Sequence, residues 1–212
     1  MADLKVAIPK LRESVAAILR LRMTSPETKE QGRVQPAQFE IGWGSGFSVA
    51  SDKYLVTAFH VLNGGKPRDP DAKFYALVVP ANGNPFFTFP VIGFPVERPD
   101  VDMAVLEIGT CLTAGVHLPA LPVSFHAQVD GTDVLTMGFP APEIVELQAD
   151  PQGHFRGGQF FLKSHASEGI VAAHYIATGG RSFYELNVGW HHGESGGPIA
   201  SAGTQPVAFS LT

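Results

Sequence analysis

An all-β fold is what this sequence of 212 residues predicts, and two observations carry the prediction. The 23 Gly and 17 Pro make up close to a fifth of the chain and disfavour long helices. Between them lie many short, strand-like apolar runs bounded by Gly, Pro, Asn or Asp clusters. A hydrophobic content of 44% is enough for one large core or two small ones.

The elements follow in chain order. Val15, Ala17, Leu19, Leu21 and Met23 alternate with Ser14, Ala16, Ile18, Arg20 and Arg22, a period of two that predicts a strand over 14–23, led into by a short helix around 3–13. Residues 24–38 hold Pro, Gly and polar groups without periodicity and read as a mobile loop. Strands are predicted at 39–49, 54–58, 73–79, 85–94 and 103–108. The stretch 116–122, with two prolines, reads as a linker. It divides a first unit, 1–118, from a second, 119–212, whose strands are predicted at 134–138, 159–164, 169–174, 182–188, 198–201 and 207–211. No fixed-period repeat or low-complexity tract interrupts this pattern.

Charge and cysteine usage narrow the function. Fifteen basic against twenty acidic residues, with no dense Lys/Arg cluster, argue against nucleic acid or an anionic membrane as partner. The single cysteine, Cys111, permits no intrachain disulfide, fits a reducing compartment and reads as a small apolar filler. The N-terminal residues mix charges among apolar positions and carry no secretory pattern, and no apolar run is long enough for a membrane-spanning helix. A cytoplasmic protein is the expectation.

Three segments carry chemistry. In Gly193-Glu194-Ser195-Gly196-Gly197-Pro198 a serine sits among glycines, as a nucleophile requires when backbone N–H groups must reach a developing oxyanion. The glycines allow a tight turn, and Pro198 forces the exit into extended chain. In Leu55-Val56-Thr57-Ala58-Phe59-His60-Val61 an imidazole ends a buried strand, where it can serve as general base near neutral pH. In Asp100-Val101-Asp102-Met103-Ala104-Val105-Leu106 an acid opens an apolar strand, an awkward place for a charge without a partner. A carboxylate bonded to the far imidazole nitrogen would set its tautomer and stabilise the imidazolium.

Together with Gly44-Ser45-Gly46-Phe47, these segments resemble the trypsin and chymotrypsin family of serine peptidases, in the family's order of His, Asp and Ser. The resemblance spans roughly residues 14–211. It implies two six-stranded antiparallel Greek-key barrels with the active site in the cleft between them. It further implies His60, Asp102 and Ser195 as the triad and the backbone N–H groups of Gly193 and Ser195 as the oxyanion hole. Gly189, Trp190, His191 and His192 would line the substrate pocket. With no acid at Gly189 that pocket reads as uncharged, and a histidine-driven preference for acidic substrates ranks second. The expected partner is a protein or peptide substrate, with no cofactor.

The chain also departs from the family. Glu194 stands where secreted animal members carry the aspartate that receives a freed N-terminus, and the flanking disulfides are missing. Both features make it similar to the disulfide-free bacterial and intracellular branches, either constitutively formed or gated by an activating protein partner. The chain stops at Thr212, before the substrate-pairing strand usual in the family, so the second barrel is expected to be truncated at its C-terminal end. No metal is expected. Adjacent His191 and His192 would point to opposite faces, and His117, His126, His154, His165 and His174 have no ligand spacing among themselves.

Two other functions fit parts of the pattern. A G-x-S-x-G esterase needs a helix after the serine and a later acid and histidine, none of which residues 196–212 supply. A double barrel serving only as a binding module is distinguished by whether Ser195 reacts.

Overall fold

The computed structural model describes residues 7–30, 33–64, 68–80, 86–111, 113, 115–124, 126–140, 142–178, 180 and 182–201. It is all-β as expected, with a closed six-stranded antiparallel barrel and further sheets. A short helix, α1 (Ile8–Ser14), opens the described chain, with a proline in its first turn where no N–H is required. The barrel consists of β1 (Val15–Ser25), β4 (Gln38–Ser48), β5 (Tyr54–Ala58), β8 (Met103–Ile108), β7 (Phe87–Arg98) and β6 (Lys73–Val78), in that spatial order.

The alternation along β1 is apolar on both faces because both faces are buried. Ala16 and Ile18 pack with Leu55, Phe74, Ala76 and Leu106 inside the barrel. Val15, Ala17, Leu19 and Leu21 face outward and pack with Phe47, Leu77, Leu135 and Met137, which fuses the barrel to the second half of the chain. Each fully buried leucine contributes about 1.5–3 kcal/mol of hydrophobic stabilisation, so this seam is a core in its own right. Cys111 is buried among the barrel residues, the filler its sequence context predicts.

Residues 24–38, read as a loop, contain a two-stranded hairpin, β2 (Thr28–Glu30) and β3 (Arg33–Gln35). The described side chains of this ribbon are exposed or only partly covered, so it leaves no hydrophobic period to find. The 116–122 stretch is docked rather than free. Leu118 is fully buried in the barrel core, and Leu121 donates its N–H to the Ser48 carbonyl at 2.8 Å.

The described strands of the second half form two sheets. One is the hairpin β10 (Glu143–Ala149) and β11 (Phe155–Phe161); the other has the order β13 (Ser182–Val188), β12 (His165–Ile176), β9 (Asp133–Gly138), β14 (Ile199–Ser201). The strand expected at 207–211 lies outside the described residues, as do residues 3–6 of the expected leading helix. β10 is not expected from the sequence, and β11 begins earlier than the expected 159. Two register shifts in the β10–β11 pair break the two-residue alternation, so that the half-buried residues are Ile144, Leu147 and Ala149.

That hairpin is stapled to the barrel by Tyr75, whose hydroxyl accepts the Phe155 N–H at 2.9 Å; burial pushes the phenol above its ordinary pKa. Its turn is tied by Asp150. Partial burial works against ionisation of this carboxyl, but hydrogen bonds from the His154 N–H and ring, Arg156 and the Gln152 N–H outweigh it and hold the pKa down to about 2. Among the described residues no helix is long and apolar enough to cross a membrane.

Candidate active site

His60 and Asp102 meet because of one strand register. β5 and β8 pair antiparallel with Ala58 opposite Met103, so the next step along each chain brings Phe59 and His60 to Asp102. β5 then gives way to the single helical turn α2 (Phe59–Asn63), closed by Gly64 in the left-handed region at φ 64°. The first N–H groups of a helix lack intrahelical acceptors, and Asp102 supplies them. Its carbonyl accepts the Phe59 N–H at 3.0 Å and its Oδ1 accepts the His60 N–H at 2.8 Å.

The remaining oxygen, Oδ2, lies 2.7 Å from Nδ1 of the His60 ring. With Oδ2 as acceptor, Nδ1 carries the proton and Nε2 is left as the basic nitrogen. The Asp102 side chain is 16% exposed and that of His60 37%, so the acid is sheltered while the ring reaches solvent. Asp102 itself adopts φ 48°, ψ 44°, a left-handed conformation uncommon for any residue but glycine.

Ser195 lies on the turn between β13 and β14. Gly193 and Gly196 have φ of 99° and 86°, which a side chain would strain, and Gly197 donates to the Glu194 carbonyl at 3.0 Å. β4 grips this turn through Ser45, which is fully buried. The Ser45 N–H donates to the Ser195 carbonyl at 2.8 Å, and its Oγ donates to the Gly193 carbonyl at 2.8 Å while accepting the Phe139 N–H at 2.8 Å. Along the sequence Ser45 stands out only as part of a glycine-flanked segment. A buried serine between two glycines is the available signal, but its partners are remote in the chain.

The turn is packed directly onto the strand that leads to His60. A methyl group on Gly196 would lie 2.3 Å from the Ser45 carbonyl oxygen, 2.5 Å from Thr57 Oγ1 and 2.7 Å from the Ala58 nitrogen. The residue after Ser195 is therefore packed against the backbone two residues before the His60 imidazole. Among the described residues the ring and the N–H of His60 both bond to Asp102, its carbonyl accepts the Gly64 N–H that closes the turn, and no hydrogen bond joins Ser195 Oγ to the ring. Such contacts commonly tighten only when substrate is bound.

Gly196→Ala is expected to destabilise the chain by about 3 kcal/mol or more, from the left-handed φ and from contacts with immovable backbone. Gly131 provides the control, since it has φ 82° but open space around the added methyl. Thermal unfolding by circular dichroism should place Gly196→Ala at least ~5 °C below Gly131→Ala. Equal midpoints would contradict the packing described.

Gly189, Trp190, His191 and His192 are all exposed on the segment leading to the turn. Glu194 is turned inward and only 2% exposed, with Oε2 accepting the His191 N–H at 2.9 Å. His191 also meets His165 edge on, with ring centroids 5.5 Å apart. From the sequence His165 is expected at the surface or in packing, because its proximity to His191 arises only when β12 folds back beside the turn. Of the other histidines, His117 and His154 pair with Asp52 and Asp150, and His174 stacks on Tyr184.

Comparison with known proteins agrees with this architecture. Residues 44–208 match a family model described as a trypsin-like peptidase domain. Among 467 matching chains of solved structures, a crystal structure of Deg5 is similar over 100% of this chain and 88% of its own, with a TM-score of 0.61 and 18% identity, a likeness of fold. No curated protein matches the chain.

Proposed function

The chain belongs to the trypsin-like peptidase domain family, and from that premise we propose that it is a serine endopeptidase in which Ser195, His60 and Asp102 act as a triad. One observation carries the reading. Asp102 holds the His60 main chain at 2.8 Å with one oxygen and the ring at 2.7 Å with the other, an arrangement that orients an imidazole as a base.

In the proposed reaction His60 Nε2 takes the Ser195 proton as Oγ attacks the scissile carbonyl. The imidazolium then returns that proton to the leaving amine, and an acyl-enzyme remains. Water, deprotonated by the same ring, attacks the ester; the acid product leaves and the proton returns to Ser195. The N–H groups of Gly193 and Ser195 are unspent on the fold among the described residues, and they serve as the oxyanion donors in this scheme. Protein or peptide is the substrate, with the exposed, uncharged Gly189–Trp190 segment and the two histidines after it at the pocket. Neither metal nor cofactor takes part. A reducing, cytoplasmic setting accords with the single buried cysteine.

A fluorophosphonate probe should label the chain once, with the adduct mapped to Ser195 by mass spectrometry, and a mixed peptide library should be cleaved. Absence of labelling at high probe concentration would overturn the assignment. Labelling without cleavage would identify a chain that waits for an activating partner.

A further inference from the structure

A group of potential metal ligands stands beside the Ser195 turn, and none of them carries a proton or a covalent bond in the proposed reaction. His165 opens β12, His191 precedes the turn, and Glu194 lies within it. One ligand atom from each lies within 4.8 Å of the other two. Two imidazoles and a carboxylate are the donor types favoured by zinc and related first-row divalent cations.

A second observation points the same way. Glu194 is 2% exposed, and while Oε2 is occupied by the His191 N–H, Oε1 is buried with no hydrogen-bond partner. A buried carboxylate oxygen without a partner is costly, and a cation held against it removes that cost. The bond from the His191 N–H is also of the kind that fixes the orientation of a ligating carboxylate.

The geometry needs only a modest adjustment. Zinc bonds of about 2.0–2.2 Å in a tetrahedron set ligand atoms roughly 3.3–3.6 Å apart. Both imidazoles are solvent-accessible and can close the difference by rotation, whereas Glu194 is already held.

We propose that His165, His191 and Glu194 bind one divalent transition-metal cation, Zn²⁺ foremost, with water completing its coordination. Bound metal would tether the turn carrying Gly193 and Ser195 to β12, so occupancy would bear on how rigidly that turn is held. The site is independent of the triad assignment, because its test reads binding rather than cleavage.

The full chain, stripped with chelator and dialysed, is titrated with Zn²⁺ in competition with a chromogenic indicator, and separately with Co²⁺ followed by visible absorption. One Zn²⁺ per chain is expected, together with the intensified ligand-field bands of low-coordinate Co²⁺. His165→Ala should weaken binding by about a hundredfold or more, and His192→Ala should leave it unchanged. The proposal is overturned if the wild-type chain binds neither ion, or if His165→Ala binds as tightly as wild type. It is equally overturned if His192→Ala is the variant that loses the metal. Should His165→Ala misfold, the wild-type Co²⁺ spectrum decides, since bands of weak six-coordinate aquo type would also refute the site.

Discussion

Ser195→Ala is expected to lower kcat/KM for peptide hydrolysis by about a millionfold, while its melting temperature stays within about 2 °C of wild type. The rate loss follows from the proposed chemistry, because an alanine methyl cannot form the acyl-enzyme and only substrate positioning and the oxyanion donors remain. The preserved stability follows from the structure. What Ser195 contributes to the fold is its main-chain carbonyl, which accepts the Ser45 N–H at 2.8 Å, and alanine retains that carbonyl. Initial rates on a cleaved library peptide and a thermal scan of the same preparation check both halves. Residual activity within a hundredfold of wild type would remove Ser195 from the chemistry.

Asp102→Asn is expected to reduce kcat by about four orders of magnitude without disturbing the barrel. Asparagine tolerates the left-handed backbone better than most residues, so the φ of 48° at this position is retained. Its carbonyl oxygen can still accept the His60 N–H now taken by Oδ1. The amide nitrogen then faces Nδ1 in place of Oδ2. An amide can only donate there, so Nδ1 must become the acceptor and Nε2 must carry the proton. The nitrogen that should take the serine proton is thereby blocked. Steady-state kinetics against wild type, with circular dichroism to verify the fold, measure the effect; a loss below tenfold would make Asp102 a helix cap and nothing more.

Local signals in the sequence suffice where a residue's environment repeats along its own strand. β5, β8, β9, β13 and β14 stand within a residue of their expected bounds, because their alternating side chains meet a core on at least one face. β10 escaped because its bulges move the buried set off period. The β2–β3 hairpin gives no signal because its described side chains are exposed or only partly covered. His60 and Asp102 were legible as a pair because each sits at the end of an apolar strand, where a polar side chain needs a reason.

The amino-acid sequence by itself determined the all-β class, the order of the histidine, aspartate and serine segments, and the glycines that the tight turn around Ser195 demands. These are properties of local backbone freedom and of periodic burial. Only the tertiary structure decided that the outward face of β1 is a second core joining the two halves, that Ser45 holds the Ser195 turn by both its carbonyls, and that His165 and His191 converge on a buried Glu194. Each of those depends on strands distant in the chain packing against one another. No spacing along the polypeptide encodes such a distance; it is set by register and by which face each sheet buries.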